Sequence, residues 1–449
     1  MSLEEQTELL RQLLEEKKYS ALRAQFAEMN EVDLAHFIES LPTEQATVAF
    51  RTLPKDAAMD VFAELDADTQ QHIITSITDQ EIAAIIDDLW VDDAVDMLEE
   101  MPAALVKRVL RNSSAETRAL INQFLKYPEN SAGSIMTAEY VDLRKSMTVE
   151  DAIKRLRRIG EDRETIYTCY VTDETRVLQG VVTVRDLLLA HDSQTVEEIM
   201  EPDVISVATT EDQEEAVRLL AKYDLIALPV VDAEKRLVGI VTVDDAMDVM
   251  REEDTEDFQK MAAMAPSERP YLKTGVLALA WNRLPWLLFL MVSNMLVGLI
   301  LGHYSPIYAA FPLLVTFIPM LTGTGGNAGS QSSTMIIRGM ALGEIRIQDF
   351  FAVMWKELRV SLLTGGVLAV VNFARLVITY PNDPVICLVV SLSLIGSIFV
   401  GKTIGGVLPM VAKACRIDPA MVAAPMITTI VDAAALVVYF NVVQIFLPL

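Results

Sequence analysis

The feature that most constrains the fold of this chain is a series of long apolar stretches that begins near residue 280. A helix that crosses a bilayer needs about 20 mostly apolar residues. Five stretches have this length, at about 283–302, 307–337, 355–379, 385–412 and 419–446. They predict an α-helical membrane domain of five spans over residues 274–449, surrounded by membrane lipid.

The links between these stretches predict the orientation of the domain, because Lys and Arg accumulate on the cytoplasmic side of a membrane. The first and third links contain neither residue type. The second and fourth contain Arg338, Arg346, Lys356, Arg359, Lys413 and Arg416. We therefore expect a multi-pass protein of the cell membrane with a cytoplasmic N-terminus and an extracellular or periplasmic C-terminus.

Charge is distributed unevenly along the chain. Residues 273–449 contain 10 Lys and Arg against 6 Asp and Glu. Of the totals of 37 and 63, this leaves 27 and 57 for residues 1–272, a balance of −30. Such an acidic part would repel the phosphates of nucleic acid, so nucleic acid is not expected as a partner. Divalent cations are the partners that it favours, and a solvated acidic surface is the alternative.

Residues 1–130 predict an all-α domain. Their short apolar-periodic runs are broken about every dozen residues, at motifs such as "LP", "LDAD" and "ITD". This pattern is typical of short helices stacked into a superhelical domain.

A duplication follows in residues 131–252. The stretch "RVLQGVVTVRDLLLA" is echoed by "KRLVGIVTVDDAMDV", and each copy predicts the order strand–helix–strand–strand–helix. This α/β repeat resembles a tandem CBS pair. In that family the Thr-x-x-Asp positions often contact adenine nucleotides, which makes Thr183, Asp186, Thr242 and Asp245 candidate ATP-binding residues. The alternative is structural, because Thr and Asp at a helix start are good caps.

The second copy runs on into an acidic helical stretch. Asp245, Asp248, Glu252 and Glu256 are spaced three and four residues apart, which places them on one helix face. Like charges at these spacings destabilise a helix unless a cation lies beside them. Mg²⁺ prefers such oxygen ligands. This face therefore predicts a magnesium-sensing site, and a solvated acidic linker is the alternative.

One acidic residue, Asp432, lies midway along the last span. Ionisable residues at this depth are costly, and they face the protein interior or a water-filled path. Pro425 and Thr428 precede Asp432 by seven and four residues and would open a polar face around its carboxylate. One alternative is an ion pair between Asp432 and Lys402. Lys402 could instead reach the cytoplasmic headgroups.

The stretch "MLTGTGGNAGSQSSTMIIRG" is unusual for a membrane span. Its glycines allow another helix to approach closely, but its amides and hydroxyls exceed what packing requires. Polar groups at membrane depth are tolerated where they line a cavity. The stretch therefore predicts the wall of an aqueous path, with Gly325, Asn327 and Gln331 as candidate lining residues beside Thr428 and Asp432.

Two motifs, "GTGGNAGSQSSTMIIRGMALGEI" and "DPAMVAAPMITTIVDAAALVVYF", together with the order of the domains, resemble the MgtE family of magnesium channels and transporters. The resemblance implies a homodimer whose interfacial pore recognises hydrated Mg²⁺ through two copies of Asp432, and a connecting plug helix at 253–273. It also implies cytosolic Mg²⁺ ligands at Asp60, Asp92, Asp96, Asp212, Glu214, Asp224, Asp245, Asp248, Glu253, Glu256 and Asp257. The chain departs from some members at Ala424, where they have asparagine, and at Asp60, where they have glutamate.

Together these observations predict a Mg²⁺-selective channel for magnesium uptake, which closes when intracellular Mg²⁺ bridges the acidic cytosolic domains. The first alternative is a proton- or Na⁺-coupled divalent cation exchanger in which Lys402 and Asp432 form a proton-linked pair. The second is a membrane-tethered nucleotide sensor without transport activity. No Ser/His/Asp or Cys/His arrangement emerges from the sequence, so we do not expect an enzyme.

Overall fold

The computed structural model describes residues 3–267, 271–422 and 424–447. The chain divides into two compact units, Met1–Met250 and Arg251–Leu449. The first unit contains a helical domain followed by two small sheets, and the second contains long helices. Each unit has a hydrophobic core of its own.

The helical domain has ten short helices within residues 3–124, which confirms the all-α prediction. Asn30 and Asp66 show how such helices begin, because each side chain accepts a hydrogen bond from a backbone N–H two or three residues later. These caps satisfy donors that the first turn of a helix leaves free. The helices are Leu3–Glu15, Tyr19–Phe26, Glu31–Glu39, Thr43–Thr52, Lys55–Ala63, Ala67–Ser76, Asp79–Asp88, Val91–Glu99, Ala103–Asn112 and Ala115–Phe124.

Each copy of the duplication forms a three-stranded sheet, with the first two strands parallel and the last two antiparallel, which confirms the predicted CBS pair. The two hairpins meet where Leu178 N–H donates to the Lys235 carbonyl at 3.1 Å. The strands are Val141–Leu143, Thr168–Thr172, Leu178–Thr183, Val207–Ala208, Ala227–Val231 and Leu237–Thr242. The helices between them are Val149–Ile159, the 3₁₀ turn Gly160–Asp162, Val184–Leu189, Val196–Ile199 and Gln213–Tyr223.

The helix that follows the last strand, Val243–Met261, runs on past the repeat as predicted, and we call it the acidic helix. Its end is held by Gln259, whose side chain accepts from the Ser267 N–H at 2.7 Å and donates to the Ser267 carbonyl at 3.0 Å. The prediction of one helix over 253–273 is therefore wrong beyond this point. Residues 268–270 lie outside the described part of the chain.

In the described residues of the second unit, four helices are long and apolar enough to cross a membrane. They are Val276–His303, Ile347–Thr379 with its initial 3₁₀ turn, Pro384–Ala414 and Ala424–Phe446. A further long helix, Ile318–Ala341, is called the glycine-rich helix; its glycines and hydroxyls lower its hydropathy, and it is not one of the four.

Two predicted spans are interrupted in the structure. The second, 307–337, is divided by the 3₁₀ turn Pro312–Phe317 ahead of the glycine-rich helix. A proline has no N–H to continue a helical ladder, which explains the break. The fifth, 419–446, begins as the 3₁₀ turn Pro419–Met421, and its helix starts only at Ala424. The first helix starts at Val276, earlier than predicted.

The helix Pro384–Ala414 lies at the centre of the second unit, and we call it the central helix. It packs against the glycine-rich helix, against Phe350–Thr379 and against the last helix, Ala424–Phe446. In the apolar 18-residue segment of the central helix, 56% of the residues are buried. In the corresponding segment of Val276–His303, none are. The exposed apolar faces are those that a bilayer would cover.

Candidate functional site

Asp432 lies half-buried on the last helix, next to the glycine-rich helix. A Cβ added at Gly326 would be 3.6 Å from Asp432 Oδ1 and 3.2 Å from Thr428 Cγ2. Among the residues that the structure describes, no basic side chain forms an ion pair with Asp432. The structure thus brings the predicted carboxylate and the glycine-rich helix together.

Glycines hold the glycine-rich helix against the central helix. A Cβ at Gly401 would overlap the carbonyl oxygen of Gly325, and a Cβ at Gly405 would overlap that of Gly329. We call these four residues the glycine seam, because they bring two helix backbones into direct contact. Gly325 is buried within the seam, which differs from its predicted place in the wall of an aqueous path.

The other candidate lining residues are more accessible. Asn327 and Gln331 are exposed and lie one turn apart, so they share one face of the glycine-rich helix. Thr428 is partly buried, and its Oγ1 donates to the Pro425 carbonyl at 2.9 Å. Its hydroxyl is therefore bonded back to the helix backbone, as Thr hydroxyls within helices commonly are.

Lys402, on the central helix, pairs with Glu357 and not with Asp432. Its Nζ donates to Ser332 Oγ at 3.2 Å and lies 3.7 Å from Glu357 Oε2, while Ser332 Oγ donates to Glu357 Oε2 at 2.6 Å. Lys402 is only 7% exposed, so it does not reach toward headgroups either. The pairing removes the observation on which the coupled-exchanger alternative rested.

Three carboxylates meet in the first unit. Asp92 comes from the helical domain, Glu164 from the loop before the second strand of the CBS pair, and Asp245 from the start of the acidic helix. One oxygen of each lies within 4.8 Å of the others. We call this set the carboxylate cluster. It unites two of the predicted magnesium ligands with Glu164, which the sequence did not reveal.

Two oxygens of the carboxylate cluster have no compensating donor among the described residues. Asp92 Oδ1 and Glu164 Oε2 are buried and have no hydrogen-bond partner in the described part of the chain. Burial and the neighbouring carboxylates raise the pKa of Glu164 to about 8, that of Asp93 to about 7, and that of Asp92 well above its ordinary value. Buried oxygens in proteins normally have a hydrogen-bond partner, so these two are exceptions. Mg²⁺, which binds carboxylate oxygens and retains water, fits this site.

Six of the remaining predicted ligands lie on the surface of the first unit, outside the carboxylate cluster. They are Asp60, Asp96, Asp212, Glu214, Asp224 and Asp248. Two of them also have structural roles. Asp212 caps a helix by accepting from the Glu214 N–H at 2.9 Å, and Asp224 ends the same helix in the left-handed conformation, with a φ of 52°.

The last three predicted ligands, Glu253, Glu256 and Asp257, lie on the part of the acidic helix that belongs to the second unit. The positive charge beside them is the Lys260 side chain, whose Nζ lies 2.9 Å from Glu256 Oε1 and 3.0 Å from Asp418 Oδ2. Burial lowers the pKa of Lys260, but its hydrogen bonds to the two carboxylates together raise the pKa by more than burial lowers it. The outcome is a pKa above the ordinary value. Lys260 thus relieves part of the like-charge repulsion along this helix.

The four candidate nucleotide-binding residues cap helices. Asp186 N–H donates to Thr183 Oγ1 at 3.1 Å, and Asp245 N–H donates to Thr242 Oγ1 at 3.5 Å. Thr242 is buried, and Asp245 also belongs to the carboxylate cluster. Thr183 and Asp186 are therefore the more accessible pair for a ligand.

Comparison with known proteins identifies the family. The divalent cation transporter model MgtE matches residues 318–442, the MgtE intracellular N domain matches 29–130, and CBS domains match 132–192 and 196–252. The magnesium transporter MgtE of Thermus thermophilus is 39% identical over 98% of both chains. The chain belongs to the MgtE family. The Bacillus subtilis magnesium transporter MgtE is 31% identical to it over 97% of this chain and 96% of its own.

Two solved structures resemble the cytosolic part of this MgtE-family chain. The soluble part of a magnesium transporter matches 56% of the chain and 99% of its own, with 30% identity and a TM-score of 0.53. The cytosolic domain of the Mg²⁺ channel MgtE in complex with ATP matches 54% and 98%, with 40% identity and a TM-score of 0.52. Family membership confirms a multi-pass membrane protein with a cytosolic N-terminal part, a transporter and not an enzyme.

Two residues of this MgtE-family chain, Glu164 and Glu357, were not predicted from the sequence. Glu164 lies in the irregular stretch "GEDRETIY", where no helical rhythm distinguishes it from its acidic neighbours. Glu357 lies between Lys356 and Arg359, which were assigned to a cytoplasmic link, so Glu357 was assigned to that link as well. It is the sole acidic residue within the helix Phe350–Thr379. An acidic residue in a membrane helix indicates by itself a buried ion pair or a functional site.

Proposed function

We propose that this chain forms a Mg²⁺-selective channel that admits magnesium to the cytosol, with Asp432 as the carboxylate that recognises the ion. One observation carries the proposal. Asp432 is half-buried in a membrane helix beside Gly326 and has no ion-pair partner in the described residues. The magnesium transporters that resemble the chain over 98% and 97% of its length support Mg²⁺ as the ion.

Selectivity follows from the hydration of the ion. Mg²⁺ gives up its water reluctantly, so a site that binds the hydrated ion avoids most of the free energy of dehydration. In a homodimer, two copies of Asp432 would face one ion, and the exposed amides of Asn327 and Gln331 would bind its water. An inside-negative membrane potential favours entry by about 2.3 kcal/mol per charge per 100 mV. Inward flow driven by this potential needs no coupled ion.

Magnesium flux into proteoliposomes tests the pore assignment. Asp432→Ala removes the ion-recognising carboxylate, and we expect Mg²⁺ flux to fall to the background of empty liposomes while the protein remains folded. The matched control is Asp383→Ala, which removes an exposed carboxylate just before the central helix and should leave flux unchanged. Undiminished flux through Asp432→Ala would end the proposal.

We further propose that cytosolic Mg²⁺ closes the channel through the carboxylate cluster. Asp92 belongs to the helical domain, whereas Glu164 and Asp245 belong to the CBS pair, so one ion at the cluster would hold the two domains together. Without the ion, each carboxylate of the cluster that ionises repels its neighbours and favours separation of the two domains. An ion that binds the closed state preferentially shifts the population toward closure. The acidic surface residues would supply weaker sites in addition.

Limited proteolysis of the full-length protein at graded Mg²⁺ concentrations tests this sensing role. Glu164→Gln should raise the Mg²⁺ concentration for half-maximal protection of the acidic helix at least tenfold, and combined neutralisation of Asp245, Asp248 and Glu256 should also weaken protection. Glu161→Gln, which neutralises an exposed acid in the same loop, is the control. Protection that is equal in all of these variants would reject the role.

ATP is proposed as a modulator that binds at Thr183 and Asp186. The support is the solved cytosolic domain of a Mg²⁺ channel MgtE in complex with ATP, which is 40% identical. In this chain, the Thr183 N–H donates to the Asp186 carboxylate at 3.1 Å. A ribose hydroxyl would donate to the same carboxylate in place of this local bond. Asp186→Asn should weaken ATP binding to the full-length protein, measured by calorimetry. Unchanged affinity would place the nucleotide elsewhere.

A further inference from the structure

Three arginines converge on one cavity in the first copy of the CBS pair. The cavity has a volume of about 240 Å³. Arg144 follows the first strand, Arg163 lies in the loop before the second strand, and Arg176 lies in the hairpin between the second and third strands. We call this cavity the arginine pocket. Its polar wall is completed by Tyr140, Asp142 and Thr172.

Two of these arginines donate to side chains in the wall of the pocket. Arg144 Nη1 donates to Thr172 Oγ1 at 2.6 Å, and Arg176 Nη2 donates to the Tyr140 hydroxyl at 2.6 Å. A guanidinium carries five donors, and these contacts use only some of them. Arg144 Nη1 also donates to the Asp173 carbonyl, and both guanidinium groups are thus held in place at the cavity.

Arg163 is the least satisfied of the three. Its Nη1 donates to the neighbouring Asp162 carbonyl at 3.0 Å, but its Nε is buried and has no partner in the described part of the chain. A buried charged donor without an acceptor destabilises the fold unless an acceptor arrives. The cavity beside Arg163 is where that acceptor would bind.

The charge of the arginine pocket is not balanced by its own wall. Among the described residues, Asp142 is the one carboxylate that lines it, and this carboxylate is already shared between Arg144, at 3.7 Å, and Arg155. Such a concentration of positive charge is notable in a part of the chain whose overall balance is strongly negative. Guanidinium groups match the oxygens of phosphate in paired hydrogen bonds.

We propose that the arginine pocket binds a small phosphate-bearing anion. Its volume lies below the 300–1,000 Å³ or so of pockets for drug-sized ligands, which suits inorganic phosphate or the phosphate end of a mononucleotide. The site is separate from the candidate nucleotide positions, because neither Thr183 nor Asp186 lines the cavity.

Calorimetry of the full-length protein in nanodiscs, with inorganic phosphate and with AMP as the probes, tests the proposal. The double variant Arg163→Gln/Arg176→Gln should weaken binding of the preferred probe at least tenfold. The matched control, Arg157→Gln/Arg158→Gln, removes two exposed arginines from the adjacent helix Val149–Ile159 and should bind as the parent does. Tighter binding of AMP than of phosphate would identify a mononucleotide as the ligand.

Asp186→Asn separates this site from the nucleotide site. If the arginine pocket holds the phosphate, Asp186→Asn leaves the affinity for the preferred probe unchanged. Three results would overturn the proposal. They are loss of binding in Asp186→Asn with retention in the arginine double variant, an equal loss in the Arg157/Arg158 control, and no binding of either probe by the parent protein.

Discussion

Glu164 retains its proton over an unusually wide pH range, since burial and nearby carboxylates raise its pKa from 4.5 to about 8. A carboxyl whose pKa is higher in the folded chain binds more protons there than in the unfolded chain. Its stabilising contribution is complete below about pH 4.5 and is lost as the pH rises through about 8. In Mg²⁺-free buffer we therefore expect the melting temperature to fall between pH 6 and pH 8.

Thermal unfolding of the full-length protein in detergent checks this expectation. Glu164→Gln cannot ionise at this position and should flatten the pH dependence. Glu161→Gln should not, because this acid is exposed. A melting temperature that rises over the same interval would contradict the assignment of a protonated Glu164.

Lys402 and Glu357 form an ion pair in the interior of the second unit. Removal of one partner of a buried ion pair leaves an uncompensated charge and destabilises a protein by about 3–5 kcal/mol. We expect Lys402→Met alone to lower the free energy of unfolding by this order, and Lys402→Met/Glu357→Gln to recover at least half of the loss. Lys356→Met, which removes the exposed neighbouring lysine, should have little effect. Strictly additive losses in the double variant would argue against the pair.

At the scale of elements, the glycine seam sets the distance between the glycine-rich helix and the central helix. Gly405→Ala would place a methyl group on the carbonyl oxygen of Gly329, and backbone cannot yield as a flexible side chain can. We expect Gly405→Ala to lower the melting temperature and to reduce Mg²⁺ flux. Gly366→Ala is the control, because a Cβ at Gly366 meets nothing within 4 Å. Equal behaviour of the two variants would contradict tight contact at the seam.

Elements with a regular period were predictable from the sequence. The helical domain, both copies of the CBS pair and the start of the acidic helix follow from apolar spacing, repetition and caps, which are local signals. The end of the acidic helix was not predictable, because it depends on a bond from Gln259 to a residue eight positions later. The position of Asp432 beside the glycine-rich helix was predicted from composition.

The carboxylate cluster was predicted only in part. Its members lie 72 or more residues apart in sequence, since Asp92, Glu164 and Asp245 come from three elements that tertiary packing brings together. Gly325 shows the reverse case. Its lack of a side chain allows either a path or close helix contact, and only the position of Gly401 decides between them.

For the whole molecule, the balance of −30 in residues 1–272 sets a general dependence on salt. Added monovalent salt screens repulsion between exposed charges. We expect NaCl to raise the melting temperature of the Mg²⁺-free protein, and to raise it less once Mg²⁺ is saturating. Choline chloride at equal ionic strength is the control for a specific effect of Na⁺. A response to NaCl that is equal with and without Mg²⁺ would show that the divalent ion does not relieve this repulsion.

The glycine seam also limits how the second unit can deform. Interlocked side chains absorb a displacement by changing rotamers, but the seam has no side chains, and its two backbones are in contact at successive turns. The glycine-rich and central helices should therefore travel as a single rigid piece. Widening beside Asp432 must then come from tilt of the last helix, or, in the proposed homodimer, from movement of the second copy of the chain.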